Sequence, residues 1–99
     1  MSYPIRIIYS YAEPGIFPAA VAISVPKRLF KSAVDRNLLK RRIREAYRLN
    51  KPDFYARLIE ANANVQLVIL YQHREIVDYH TLQSGLLKGI DKLISQIIE

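Results

Sequence analysis

Residues 32–51, SAVDRNLLKRRIREAYRLNK, have a net charge of +5 out of +6 for the whole chain, and the rest of the sequence is best interpreted outward from them. Between residues 27 and 51 there are ten lysines and arginines against two acids, whereas the remainder has five basic residues and seven acids. The net charge of +6 is therefore concentrated in one segment of an otherwise slightly acidic chain. Such a local field favours a polyanionic partner that docks on one face.

The same residues are predicted to form an amphipathic helix. Ser32 and Asp35 have the S-x-x-D spacing of a capping box, which places the N-cap at Ser32. At about 100° per residue, five polar side chains share a wedge about 100° wide: Lys40, Arg44, Asn37, Arg48 and Arg41. An apolar stripe of similar width lies beside this wedge and consists of Leu39, Ile43, Ala46 and Tyr47. One flank is expected to pack, and the neighbouring flank is expected to bind.

The positions around this wedge have less certain roles. Arg36 lies at the boundary between the polar and apolar faces. Arg42, Leu38 and Leu49 lie on the far side, where we expect a solvated or partly packed role. A solvated helix with i,i+4 ion pairs is the simplest alternative for the charge run, but only Asp35 and Glu45 are available as partners.

Residues 24–51, SVPKRLFKSAVDRNLLKRRIREAYRLNK, resemble the signature of the bacterial ribonuclease P protein component. That pattern is approximately S-V-x-K-[KR]-x-x-x-x-A-V-x-R-N-R-x-K-R-x-x-R-E-x-[FY]. The matching positions are Ser24, Val25, Lys27, Arg28, Ala33, Val34, Arg36, Asn37, Lys40, Arg41, Arg44, Glu45 and Tyr47. One position departs, because Leu38 replaces the second arginine of the R-N-R triplet. Leu38 lies away from the basic wedge, so we expect the loss to be tolerated, with Arg42 as one substitute.

The resemblance implies a function for the whole chain. In that family the RNA subunit, with Mg²⁺, cuts the 5′ leader from precursor tRNA, and the protein binds the RNA subunit and the leader. We therefore predict eight RNA-binding residues: Lys27, Arg28, Arg36, Asn37, Lys40, Arg41, Arg44 and Arg48. The resemblance also implies that Tyr9 contacts the leader, although a packed or half-exposed strand tyrosine is an equal alternative.

The residues that hydrolyse phosphodiesters in protein enzymes are missing from this sequence. Such chemistry usually needs clustered carboxylates that hold metal ions, or a histidine pair. The nine acids are scattered, there is no D-x-D or H-x-x-x-H, and isolated glycines exclude a P-loop. The chain is not expected to be a nuclease by itself or to bind a cofactor of its own.

Length and composition favour one domain over residues 1–99. A chain of 99 residues with a 51% apolar share can bury one modest core. Without cysteine, a disulfide framework or a thiolate zinc site is excluded. No apolar run is long enough to span a bilayer and no signal peptide is visible, so we expect a cytoplasmic protein without a membrane partner.

The periodicity predicts an α+β domain with a small, mainly antiparallel sheet. Strands are expected at residues 3–11 and 19–25, and a third at 66–71 that is central and buried on both faces. The basic helix is expected to break at Asn50 and Pro52, with a short helix restarting there and ending near residues 62–64. An amphipathic helix follows at residues 79–98.

The resemblance implies a more specific fold, ribonuclease P protein-like (ribosomal S5 domain 2-like). Its crossover through the basic helix is left-handed, whereas sequence pattern alone predicts a right-handed one. Family members begin with an amphipathic helix that this sequence lacks, because Met1 and Ser2 lead almost directly into strand residues. An apolar sheet face is then expected to be exposed, which could drive self-association.

Three alternatives remain open at this point. The chain could be another RNA-binding protein of the translation apparatus with a similar fold. A DNA-binding helix is less favoured, because the short glycine turn of a helix-turn-helix is missing. A module that docks on acidic protein or membrane surfaces is also less favoured, because the polar face of the helix has no aromatic residues.

Overall fold

The structure, a computed structural model, describes residues 4–15 and 17–98. Its elements are β1 (Ile5–Tyr11), β2 (Ala19–Ser24), α1 (Ala33–Glu60), β3 (Val65–Tyr71) and α2 (Tyr79–Ile98). The α+β class and the order of strands and basic helix are as the sequence predicts. Tyr3, where the first strand was expected to begin, lies outside the described residues.

The three strands form a mixed sheet in the order β1-β3-β2. β1 pairs with β3 antiparallel, and β2 pairs with β3 parallel. The expectation of a mainly antiparallel sheet is corrected here, because one of the two strand pairs is parallel. The physical reason is the connection from β2 to β3, which contains the 28-residue helix α1 and is long enough to return the chain to the same end of the sheet. The left-handedness of this crossover stays a prediction.

β3 is the central strand, but only one of its faces is buried. Burial alternates along it: Val65, Leu67, Ile69 and Tyr71 are buried, whereas Gln66 and Val68 are exposed. The expectation of a strand buried on both faces was wrong. α1 packs beside β2 and α2 beside β1, and the two helices contact each other over the buried face. No described element covers the opposite face.

The open face of the sheet carries an apolar row. The register aligns Ile8 of β1 with Val68 of β3, and Val68 in turn with Ala22 of β2. The exposed fractions of Ile8 and Val68 are 49% and 36%. An apolar sheet face is thus exposed, as expected, while self-association through it stays a prediction.

Helix α1 runs without a break from Ala33 to Glu60, with Pro52 inside it. The expected break and restart at Asn50 and Pro52 was wrong. Phe54 and Leu58, which follow the proline, are almost fully buried and extend the apolar stripe of the first half. This packing holds the helix together across the hydrogen bond that proline cannot donate.

Both ends of α1 have identifiable signals. The Ser32 side chain accepts a hydrogen bond from the backbone N–H of Asp35, at 3.5 Å, so the predicted N-cap is confirmed. At the other end Asn62 has a φ of 54°, in the left-handed region that asparagine tolerates better than most residues. The helix therefore ends close to where the sequence predicted.

The core lies between the sheet and the two helices. From α2 it receives Leu82, Leu86, Ile90, Leu93 and Ile94, which confirms the predicted amphipathic helix. From α1 it receives the whole predicted apolar stripe, and from β3 the four inward side chains. This arrangement fixes the rotation of α1 about its axis and so decides which of its charges face outward.

Candidate nucleic-acid interface

A groove lies between α1 and the edge strand β2. It has a volume of about 400 Å³ and is lined by Lys40, Arg44, Arg48 and Lys51 of α1, with Tyr47, Val21 and Ile23. We call this the basic groove. One of its walls is cationic and the other, from β2, is apolar and uncharged.

The basic groove exists because the apolar stripe of α1 is buried. Leu39, Ile43 and Ala46 are each 0% exposed, so the helix can rotate very little without emptying the core. The wedge of polar residues is thereby held beside β2. The neighbouring stripe and wedge predicted for α1 are both found.

Most cations of the wedge have no carboxylate partner. Within the described part of the chain, the ion pairs are Arg48 with Glu45 at 2.7 Å, and Arg57 with Asp53 and Asp91 at 3.7 and 2.8 Å. Lys40, Arg41 and Arg44 therefore remain available for an external anion. The alternative of a helix face saturated with ion pairs does not apply to these three residues.

Arg48 is the exception among the wedge residues. Its guanidinium donates two hydrogen bonds to the Glu45 carboxylate, and this holds the pKa of Glu45 below its usual value. Both side chains are exposed, and exposed pairs of this kind are weak because water and salt screen them. A phosphate could therefore compete with Glu45 for Arg48.

The other predicted RNA-binding residues lie outside the basic groove. Arg36 donates hydrogen bonds to the backbone carbonyls of Phe30 and Lys31, at 2.7 and 3.0 Å, and so holds the preceding loop against the start of α1. Asn37 and Arg41 are exposed on α1. Lys27 and Arg28 are exposed in the turn after β2. The structure thus brings three of the eight residues, Lys40, Arg44 and Arg48, into one groove.

Arg42 has the packed role that its position on the helix suggested. Its guanidinium donates to the backbone carbonyl of Val77, at 3.2 Å, and so links α1 to the loop before α2. This contact engages Arg42 on the side of α1 away from the basic groove. Arg42 is therefore a poor substitute for the arginine that Leu38 replaces.

Lys51 is the groove residue that sequence reasoning missed. It lies at about 60° on the helical wheel that starts at Arg36, in the middle of the predicted wedge. The sequence analysis predicted a helix break at Asn50 and Pro52, on either side of Lys51. Its ammonium nitrogen lies 5.3 Å from the ring centroid of Tyr55, a cation–π distance.

The Tyr47 hydroxyl belongs to the inner wall of the basic groove. Its oxygen is buried and has no hydrogen-bond partner among the described residues. Burial, with a smaller contribution from neighbouring Tyr55, raises the pKa of Tyr47 well above its usual value. Burial therefore favours the neutral form of the Tyr47 hydroxyl, which adds no negative charge to the groove.

Tyr9 lies apart from the basic groove. It is half-buried in β1, packs edge-to-face against Tyr11 with ring centroids 6.1 Å apart, and lines a cleft between β1 and α2. It also borders a shallow hollow of the sheet whose opposite side is Val21, a residue of the basic groove. Tyr9, the predicted leader contact, is therefore separated from the basic groove by the width of the sheet.

The described residues contain neither a cluster of metal ligands nor a membrane-spanning helix. No group of three or more histidine, aspartate and glutamate side chains there could hold a metal ion. Neither helix in that part of the chain is long and apolar enough to cross a membrane.

Comparisons with known proteins agree with the signature in α1. The family model for Ribonuclease P matches residues 4–94. The ribonuclease P protein component of Porphyromonas gingivalis strain W83 is 30% identical over 96 residues, which are 96% of this chain and 70% of that protein.

Two other bacteria give shorter matches of the same kind. The ribonuclease P protein component of Chlorobaculum tepidum is 39% identical over 77 residues, 69% of this chain and 49% of that protein. That of a Picosynechococcus species is 36% identical over 66 residues, 67% of this chain and 53% of that protein. No solved structure matches. The chain therefore belongs to the Ribonuclease P family, the protein component of a tRNA-processing endoribonuclease.

Proposed function

We propose that this chain binds the catalytic RNA of ribonuclease P through α1 and assists removal of the 5′ leader from precursor tRNA. The observation that carries this proposal is the basic groove. Lys40 and Arg44 line it, and neither has a carboxylate partner in the described part of the chain. Four cations on one rigid helix match a row of phosphates better than a row of bases.

Fixed cations bind phosphates mainly by releasing counterions from the RNA. Each contact contributes a slope of about −0.7 to −0.9 to the dependence of log K on log salt concentration. With about five to seven contacts, from the basic groove together with exposed Lys27, Arg28 and Arg41, binding is strongly salt-dependent. The charges lie on a preformed helix, so little conformational entropy is lost on binding.

In this proposal the RNA subunit supplies the chemistry, and Mg²⁺ is held by RNA. What the chain supplies is charge: it reduces the repulsion between two polyanions, the catalytic RNA and precursor tRNA. Less Mg²⁺ is then needed to bring them together. A partner of this kind places the protein in the cytoplasm, and Tyr9 is proposed to contact the leader.

Reconstitution with ribonuclease P RNA tests the proposal. Cleavage of precursor tRNA at low Mg²⁺ is measured with no protein, with the unmodified chain, and with the double variant K40Q/R44Q. The control is Lys88→Gln on α2, which removes one exposed cation that does not line the groove. We expect the unmodified chain and the control to stimulate cleavage, and the double variant to lose most of the stimulation.

Two results would count against the proposal. If the unmodified chain gives no stimulation at low Mg²⁺, the subunit role fails. If the double variant stimulates as well as the Lys88→Gln control, the basic groove is not the RNA-binding surface.

A further inference from the structure

A second cavity lies at the opposite edge of the sheet from the basic groove. It has a volume of about 370 Å³ and lies between the edge strand β1 and α2. Its polar lining residues are Arg6, Tyr9, Gln72, Lys92 and Gln96. We call it the β1–α2 cleft. A cavity of this volume is in the range of small-ligand sites.

The β1–α2 cleft is positively charged and has no acid in its lining. Neither Arg6 nor Lys92 makes an ion pair with any described residue. Asp91, the acid next to Lys92 in the chain, is bound to Arg57 of α1 at 2.8 Å. The two cations are therefore not neutralised locally, and the cleft favours an anion.

The cleft also contains a buried hydrogen-bond donor without an acceptor. The side-chain Nε2 of Gln72 is buried and has no hydrogen-bond partner among the described residues. The residue itself is fixed in place, because its backbone N–H donates to the carbonyl of Pro4 at 2.9 Å. A buried donor of this kind is costly unless an acceptor binds. An oxyanion in the cleft could accept a hydrogen bond from it.

The sheet connects the two cationic sites. Tyr9 of the β1–α2 cleft and Val21 of the basic groove both pair with Leu67, on opposite sides of β3. Two strand spacings, about 10 Å, separate β1 from β2. The shallow hollow of the sheet is lined by uncharged residues, among them Ser10, Ala20 and Gln66. Nothing charged therefore blocks a nucleic-acid strand that passes from one site to the other.

We propose that the β1–α2 cleft is a second phosphate-binding site, which takes a phosphate of single-stranded RNA extending beyond the basic groove. The inference deepens the proposed function and rests on it for the identity of the RNA. Arg6 and Lys92 supply positive charge from two elements, and Gln72 supplies a neutral donor. Such a set suits a phosphate oxygen, whereas a cation would be repelled.

The first experiment follows the side-chain amide of Gln72 by NMR in the full chain. Two probes are used, inorganic phosphate and a short single-stranded oligouridylate. We expect both to shift the Gln72 amide resonances, and Lys92→Gln to weaken both responses. Lys88→Gln removes the same charge one turn earlier on α2, outside the cleft lining, and should respond like the unmodified chain.

The second experiment measures the salt dependence of oligouridylate binding. Loss of one phosphate contact should reduce the slope of log K against log salt by about 0.7 in Lys92→Gln, with no change in Lys88→Gln. Equal slopes for these two variants would overturn the inference. A Gln72 response to inorganic phosphate alone, without a response to oligouridylate, would overturn the assignment to RNA.

The design separates this inference from the proposed function. The K40Q/R44Q variant lacks two cations of the basic groove but keeps the whole β1–α2 cleft. Its Gln72 amide should still respond to inorganic phosphate, and loss of that response would show that the cleft is not an independent site. If K40Q/R44Q stimulates ribonuclease P RNA normally while Lys92→Gln alters oligouridylate binding, the groove assignment fails and the cleft remains.

Discussion

The four cations of the basic groove give a quantitative prediction about salt. The perturbation is the double variant K40Q/R44Q, which removes two of the four charges and keeps side chains of similar length. Neither residue forms an ion pair or a hydrogen bond within the described chain that the change would break. We therefore expect the fold and its stability to be retained, within about 0.5 kcal/mol.

The magnitude follows from counting contacts. Four groove contacts give a slope of about −2.8 to −3.6, from about −0.7 to −0.9 each. Their contribution to the binding constant should then fall about 50- to 150-fold between 50 and 200 mM salt. With two contacts left, the same change in salt should reduce that contribution only about 7- to 12-fold.

The assay is binding of the chain to ribonuclease P RNA across this salt range, with Lys88→Gln as the matched control. The control should keep the slope of the unmodified chain, because Lys88 is exposed on α2 and lines neither cationic site. A variant whose slope is unchanged, with affinity lowered equally at every salt concentration, would refute the reasoning. The loss would then reflect altered shape, not lost phosphate contacts.

Three further predictions concern α1. Arg44→Ala should weaken RNA binding more than Arg42→Ala does, which a comparison of RNA affinities checks. Arg42→Ala should instead lower the free energy of unfolding by about 1 kcal/mol, because its hydrogen bond to the backbone carbonyl of Val77 is lost, and urea unfolding measures this change. Pro52→Ala should raise the free energy of unfolding by about 1–3 kcal/mol, because alanine restores the missing N–H in an unbroken helix; destabilisation would indicate a break there. The Glu45 carboxyl should titrate below its usual value of 4.5, and Arg48→Gln should raise its pKa toward that value in an NMR titration. The pKa of Glu45 is lower in the folded chain than in the unfolded chain. The Glu45–Arg48 pair therefore stabilises the fold at pH values above the unfolded-state pKa, and this stabilisation is lost as the pH falls through the folded-state pKa.

The local features of α1 could be predicted from sequence because they depend on neighbours in the chain. The N-cap at Ser32 needs only the spacing to Asp35, and the buried stripe needs only helical periodicity. The shortage of acids around Lys40 and Arg44, with only Asp35 and Glu45 between residues 27 and 51, is also visible in the sequence. These features are enough to define a cationic face, although they do not define a groove.

The continuity of α1 through Pro52 depends on the tertiary structure. Proline normally ends or kinks a helix, and Asn50, two residues before it, strengthens that signal. The burial of Phe54 and Leu58 against the rest of the core overrides the local preference. Once the helix is continuous, Lys51 lies at about 60° on the helical wheel, within the predicted wedge.

The burial of β3 on one face only was not predicted, because the composition of the open face is misleading. Val68 and Leu70 on the open face of β3 are apolar, so this strand reads as buried on both sides. Which face is covered depends on where α1 and α2 pack, and strand periodicity carries no information about that. The opposite locations of Tyr9 and the basic groove follow from the strand order β1-β3-β2, which is likewise long-range.

The links between α1 and the rest of the domain explain why its charges can act together. Arg42 binds the carbonyl of Val77 before α2, and Arg57 binds Asp91 within α2 at 2.8 Å. Tyr55 donates to the carbonyl of Ala19 at the start of β2, at 3.1 Å, on the groove side. These three contacts fix α1 against α2 and β2 along its length, so the distance between the cationic and apolar walls is set before any ligand arrives. A strand of RNA then meets charges already in position, and most of the entropy of ordering the site has been lost during folding.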